Sequence, residues 1–116
     1  MPLSKEIKNN IGIVKIIGET NINTERKLID LVKELAQKTG NNIILDLENC
    51  SYIDSGTLGA IILLNKYICS AGGKFCMANI KTETVSKLFT ITKLYSLIPK
   101  YETVDEALTE YFKVDK

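Results

Sequence analysis

Residues 11–18 alternate strictly: Ile11, Ile13, Lys15 and Ile17 interleave with Gly12, Val14, Ile16 and Gly18. A period of two in a β-branched run predicts a strand with at least one face covered, stopping at Gly18. Asn9 and Asn10 just before it have hairpin-turn chemistry, so residues 4–8 are read as a partner strand. The period then changes. Leu28, Ile29, Leu31, Val32, Leu35 and Ala36 recur at three- and four-residue spacings, which predicts a helix starting at Thr24-Glu25 and closed by Gly40. Residues 42–47 centre on Ile43-Ile44-Leu45, an apolar run too short for a normal helix and bounded by turn residues, hence a buried central strand.

Helical spacing returns over residues 55–71, with Leu58, Ile61, Ile62, Leu64, Ile68 and Cys69 inward and Asn65, Lys66 and Ser70 facing water. Gly72 and Gly73 end it. Residues 74–79 read as the next strand, and residues 82–92 as a helix carrying Val85, Leu88, Phe89 and Ile91. Ile98 begins a short edge strand, because Pro99 cannot donate to a ladder. A last helix over residues 103–112 has Thr103 as N-cap, Glu106 as capping-box partner, and Val104, Ala107, Leu108 and Tyr111 turned inward. The order ββαβαβαβα predicts an α/β fold, a mostly parallel or mixed sheet with helices packed against it through right-handed crossovers. No linker, repeat or low-complexity segment interrupts it.

Composition narrows the function more than the fold. A chain of 116 residues, 45% hydrophobic, suffices for one ordinary core, so residues 1–116 are expected to be a single domain. Fifteen basic against fourteen acidic residues leave a formal charge of +1, and no overall field favours nucleic acid or an anionic membrane. The longest apolar run, residues 58–64, is far below the ~18 residues of a membrane span. The first ten residues lack a signal-peptide core, so a soluble, cytoplasmic protein is expected. Cys50, Cys69 and Cys76 form no CxxC pair and are expected to be buried or half-buried thiols.

With no histidine in the chain, a Ser-His-Asp triad, a Cys-His pair and the usual zinc and iron sites are excluded; no metal, cofactor or catalytic residue is expected. Gly56, Gly59, Gly72 and Gly73 match neither GxxxxGK[ST] nor GxGxxG. Asp46 and Glu48 read as the exposed end of a strand rather than as a hydrolase pair with Asp54.

One segment carries information of its own. Tyr52-Ile53-Asp54-Ser55-Gly56-Thr57-Leu58-Gly59 sets an acid, two hydroxyls and two glycines at a strand-to-helix junction, beyond the carboxyl end of a central strand. Either Asp54 or Ser55 simply caps the helix, or the free N–H groups of its first turn form an anion site that a phosphate on Ser55 would fit. Chemistry alone leaves both readings open.

These residues also carry a resemblance. The strand running into Glu19, Ile43-Ile44-Leu45-Asp46-Leu47, Ile53-Asp54-Ser55 with Leu58-Gly59, Ala71-Gly72-Gly73-Lys74 and the stretches 85–89 and 94–98 resemble the STAS domain family, and within it the bacterial anti-sigma factor antagonists. The resemblance implies a non-enzymatic regulator. Its unmodified form would bind an anti-sigma factor that is also a serine kinase, thereby freeing a sigma factor for transcription. Phosphorylation of Ser55 would break the complex, and a serine phosphatase would restore it. Asp54, Ser55, Gly56, Thr57, Glu19 and Asn21 would meet the partner, with the loops 19–23 and 79–82 nearby. The family's usual Asp-Ser-Ser/Thr-Gly order is here Asp54-Ser55-Gly56-Thr57, and Asn21 stands where many antagonists carry an acid. The same resemblance also admits a STAS subunit of a stressosome-type scaffold or a lipid-transport complex in which Ser55 is never modified.

Overall fold

The computed structural model describes residues 3–115. Strands β1 (Leu3–Lys8) and β2 (Ile11–Ile16) form an antiparallel hairpin with Lys8 opposite Ile11. Asn9 and Asn10 make its turn at φ 54° and 64°, the left-handed pair that a two-residue hairpin needs and asparagine tolerates. The alternation of β2 ends at Ile16, two residues earlier than its pattern suggests. Ile17 is 40% exposed, and Gly18 at φ 76° starts a separate strand, β3 (Gly18–Glu19). It pairs in parallel with β5 (Cys50–Tyr52), a two-stranded ladder missing from the expected order.

Helix α1 (Ile22–Thr39) is capped by Asn21, whose side chain accepts from the Asn23 N–H at 2.9 Å. Thr24 is therefore the third helical residue and not the start. Its hydroxyl accepts from the Asn21 N–H at 3.0 Å and closes the capping box. Gly40, at φ 64°, ends the helix as its position predicts.

There follow β4 (Asn42–Asp46), α2 (Ser55–Ser70), β6 (Lys74–Ala78), α3 (Glu83–Ile91), β7 (Lys100–Tyr101) and α4 (Val104–Glu110). Ile98 is fully buried, and the edge strand expected to begin there starts at Lys100. Thr103 caps α4 by accepting from the Glu106 N–H at 3.0 Å. The Glu106 carboxylate returns to the N–H of Glu102, one residue short of the reciprocal bond a capping box requires.

The main sheet runs β1-β2-β4-β6-β7, parallel except for β1. Each crossover steps the same way across it, so right-handed connections place α1, α2 and α3 on one face. Val14, Leu28, Val32, Ile43, Leu45, Ile61, Leu64, Phe75 and Phe89 fill that layer. The other face holds Ile13, Ile44 and Cys76 under Ala107 and Leu108 of α4. Because the strand order never reverses, no crevice opens between oppositely wound halves, and a site has to lie on the rim at the carboxyl ends of the strands. No helix among the described residues is long and apolar enough to cross a membrane.

Apolar side chains are not all inside. Ile62 is 39% exposed and Cys69 also faces solvent, against the inward placement expected for them, and Ile91 is 78% exposed. Cys50 and Cys76 are buried, and burial raises both thiol pKa values, that of Cys76 to about 12. Alkylation of the native protein at neutral pH is accordingly expected to modify Cys69 alone, with the other two reacting only after denaturation. Peptide mapping that finds rapid labelling of Cys76 would contradict this packing.

Candidate functional site

The loops leaving β3 and β5 bring together Thr20 and Asp54, which are 34 positions apart. The Thr20 N–H donates to the Tyr52 carbonyl at 3.0 Å and fixes the loop against the end of β5. Its hydroxyl accepts from the Asp54 N–H at 2.8 Å and donates to Asp54 Oδ1 at 2.5 Å. Sequence reading did not single out Thr20. It belongs to no motif, and only its 5% exposure in the folded chain marks it out.

Asp54 occupies the N-cap position of α2 with extended backbone, yet its side chain closes no capping hydrogen bond. The Thr20 hydroxyl holds the carboxyl below the usual aspartate range, and the Thr57 hydroxyl adds to this against the opposing effect of burial. Asp54 is thus fully charged at neutral pH. Thr57 Oγ1 is itself buried without a hydrogen-bond partner; it faces the carboxylate without completing a bond of normal geometry. It is buried rather than presented to a partner.

Ser55 is exposed and is the first residue of the 16-residue helix α2. The helix's own ladder begins with the Leu58 N–H on the Asp54 carbonyl, at 3.0 Å. The N–H groups of Ser55, Gly56 and Thr57 therefore carry no backbone hydrogen bond among the described residues, and that of Thr57 faces the Asp54 carboxylate without closing a cap of normal geometry. Gly56 lies against α1: a Cβ built there would stand 2.7 Å from Glu25 Oε2, so a second carboxylate borders the turn.

Asp54, Ser55, Gly56 and Thr57 are thus gathered at one point on the rim. Glu19 is exposed on β3 beside Thr20 and opposite Tyr52. Asn21 is exposed but spends its side chain capping α1. The turn after β6 is tied down, with Asn79 donating to Asp46 Oδ1 at 3.1 Å and the Thr82 hydroxyl to the Cys50 carbonyl at 2.8 Å.

Beside Ser55, between the start of α2 and α3, runs a groove of about 430 Å³ lined chiefly by Tyr52, Ile53, Leu58, Leu88 and Ile91, with Lys87 on its edge. Tyr52 is 45% and Ile91 78% exposed. An open apolar groove with polar groups on its rim has the anatomy of a protein-docking surface. Among the described residues no group of three or more His, Cys, Asp or Glu is placed to hold a metal ion.

The STAS domain family model matches residues 2–107, and the chain belongs to that family. Within it, the chain is similar to anti-sigma factor antagonists. It is 27% identical over 113 residues to the anti-sigma F factor antagonist of Paenibacillus polymyxa, covering 95% of this chain and 96% of that protein. It is 36% identical over 77 residues to the TM1081 homologue of Thermotoga neapolitana, covering 66% of this chain and 67% of the relative. The crystal structure of the Thermotoga maritima protein TM1081 superposes with a TM-score of 0.84 at 29% identity, over 93% of this chain and 92% of that one. Bacillus SpoIIAA, solved in unphosphorylated and phosphorylated forms, shares the fold at 18% identity, with TM-scores of 0.82 and 0.73. The unphosphorylated form covers 98% of this chain and 99% of that one; the phosphorylated form covers 94% and 98%.

Proposed function

We propose that residues 1–116 act as one cytoplasmic STAS-like unit that binds an anti-sigma factor while Ser55 is unmodified and lets go when Ser55 is phosphorylated. The partner is itself a serine kinase: the Ser55 hydroxyl attacks the γ-phosphorus of ATP held by that partner, losing its proton as ADP departs. A serine phosphatase removes the phosphate by hydrolysis. The chain contributes the acceptor and the docking surface and no catalytic group.

The observation that carries this reading is the position of Ser55. Ser55 is exposed on the lip of the Tyr52–Leu58–Leu88–Ile91 groove, at the head of a helix whose first-turn N–H groups make no backbone hydrogen bond among the described residues. A dianionic phosphate is tolerated there by the helix end, and it introduces charge where a partner seals an apolar surface. The existence of a phosphorylated form of SpoIIAA, which shares this fold, agrees with it.

The test is intact-mass spectrometry with peptide mapping after incubation with ATP and the serine kinase encoded nearest the gene. One phosphate on Ser55, accompanied by loss of the complex on a sizing column, is the expected result. Stable binding with Ser55 unmodified would replace this reading by that of a scaffold subunit.

A further inference from the structure

An aspartate at an N-cap ordinarily turns its side chain onto the N–H of the second or third helical residue. Asp54 does not, although the Thr57 N–H and hydroxyl are its neighbours. The reason is Thr20. Its hydroxyl both accepts from the Asp54 backbone and donates to the Asp54 carboxylate, a closed two-residue clamp anchored to Tyr52 at the end of β5. The carboxylate stops just short of capping the helix. Thr57 Oγ1 is left fully buried at the same place, facing the carboxylate without a hydrogen bond of normal geometry.

We infer that Thr20 is a positioning residue that keeps the first turn of α2 vacant as the seat of the phosphoryl group carried by Ser55. The Gly56 and Thr57 N–H groups are the donors of that seat. Two carboxylates, Asp54 and Glu25, border it, so it accepts a phosphate only while Asp54 is restrained from occupying it. Without the Thr20 hydroxyl, Asp54 takes those N–H groups itself and sets a full negative charge where the phosphate belongs. The inference rests on the proposed modification of Ser55 for its purpose, whereas its test does not depend on any kinase.

The test uses full-length protein with phosphoserine incorporated at position 55 during translation, as wild type, Thr20→Val and Thr20→Ser. Backbone amide protons of Gly56 and Thr57 are followed by NMR as pH is varied. In the wild type and in Thr20→Ser they are expected to follow the second phosphate ionisation, near pH ~6. In Thr20→Val they are expected to follow the Asp54 carboxyl, well below the phosphate's range, with the phosphoserine pKa rising as the carboxylate competes. A merely structural threonine would lower stability and leave that assignment untouched. Amides that follow the phosphate equally in wild type and Thr20→Val overturn the inference. If Thr20→Val does not fold, the wild type still decides: Gly56 and Thr57 amides that fail to follow the phosphate overturn it. The separate failure of any kinase to modify Ser55 would count against the proposed function and leave these titrations intact.

Discussion

Gly73→Ala is expected to destabilise the protein by about 3 kcal/mol or more, a large part of the ~5–15 kcal/mol that holds a domain folded. A Cβ at position 73 would lie 1.9 Å from the Asn41 carbonyl oxygen and 2.4 Å from its Cβ. Neither neighbour is the loose end of a flexible side chain. Asn41 sits at φ 64° in the turn between α1 and β4, its N–H bonded to the Ala36 carbonyl and its own carbonyl taken by the Lys74 N–H at 2.9 Å. That last bond begins the β4–β6 pairing, so relieving the overlap means separating the two central strands where they start. Gly72 is the internal control. It needs its glycine for φ 84° but has nothing within 4 Å, so Gly72→Ala should cost only about 1–2 kcal/mol. Urea unfolding of both variants checks the contrast, and a loss below ~1 kcal/mol for Gly73→Ala would mean that the turn at Asn41 yields freely.

Elements whose signal is local were readable in the chain. Asn9-Asn10, Gly40 and Thr103 act through their own backbone and immediate neighbours, and each performs the turn, stop or cap its chemistry suggests. The same locality explains the errors. Strands β3 and β5 have two and three residues, too few to show a period, and they exist only because they pair across a long separation. Thr24 carries a cap residue's chemistry, but Asn21 three positions earlier offers the better cap and takes the role.

Hydrophobic spacing also cannot distinguish a buried apolar stripe from an exposed one. Ile62 and Ile91 fit the apolar stripes of their helices and yet face outward. At the site, Asp54 and Ser55 were legible as a strand-to-helix junction. Thr20 was not, because its meaning lies entirely in a contact with a residue remote in the chain. Glu25 likewise borders Gly56 only through the packing of α1 against α2.

Two substitutions at Ser55 should separate its structural role from its proposed regulatory one. Ser55 stands at the first helical position and not at the cap, and its hydroxyl makes no hydrogen bond among the described residues. Ser55→Ala is therefore expected to change stability by less than about 0.5 kcal/mol, since no cap is lost. It should bind the cognate anti-sigma factor as tightly as the unmodified chain while resisting phosphorylation. Ser55→Asp folds equally well, because an acid in the first turn is favoured by the helix end.

Its effect on the complex is of another size. The new carboxylate joins Asp54, which is already held in its charged form, and Glu25 on the lip of an apolar groove. Closing a partner over that lip strips water from clustered like charges, at a cost of about 2–3 kcal/mol, or ~30- to 150-fold in affinity. Titration calorimetry of the three proteins against one anti-sigma factor measures this directly. Unchanged affinity for Ser55→Asp would show that charge at position 55 does not set the switch, and weakened binding by Ser55→Ala would show that the hydroxyl itself is part of the contact.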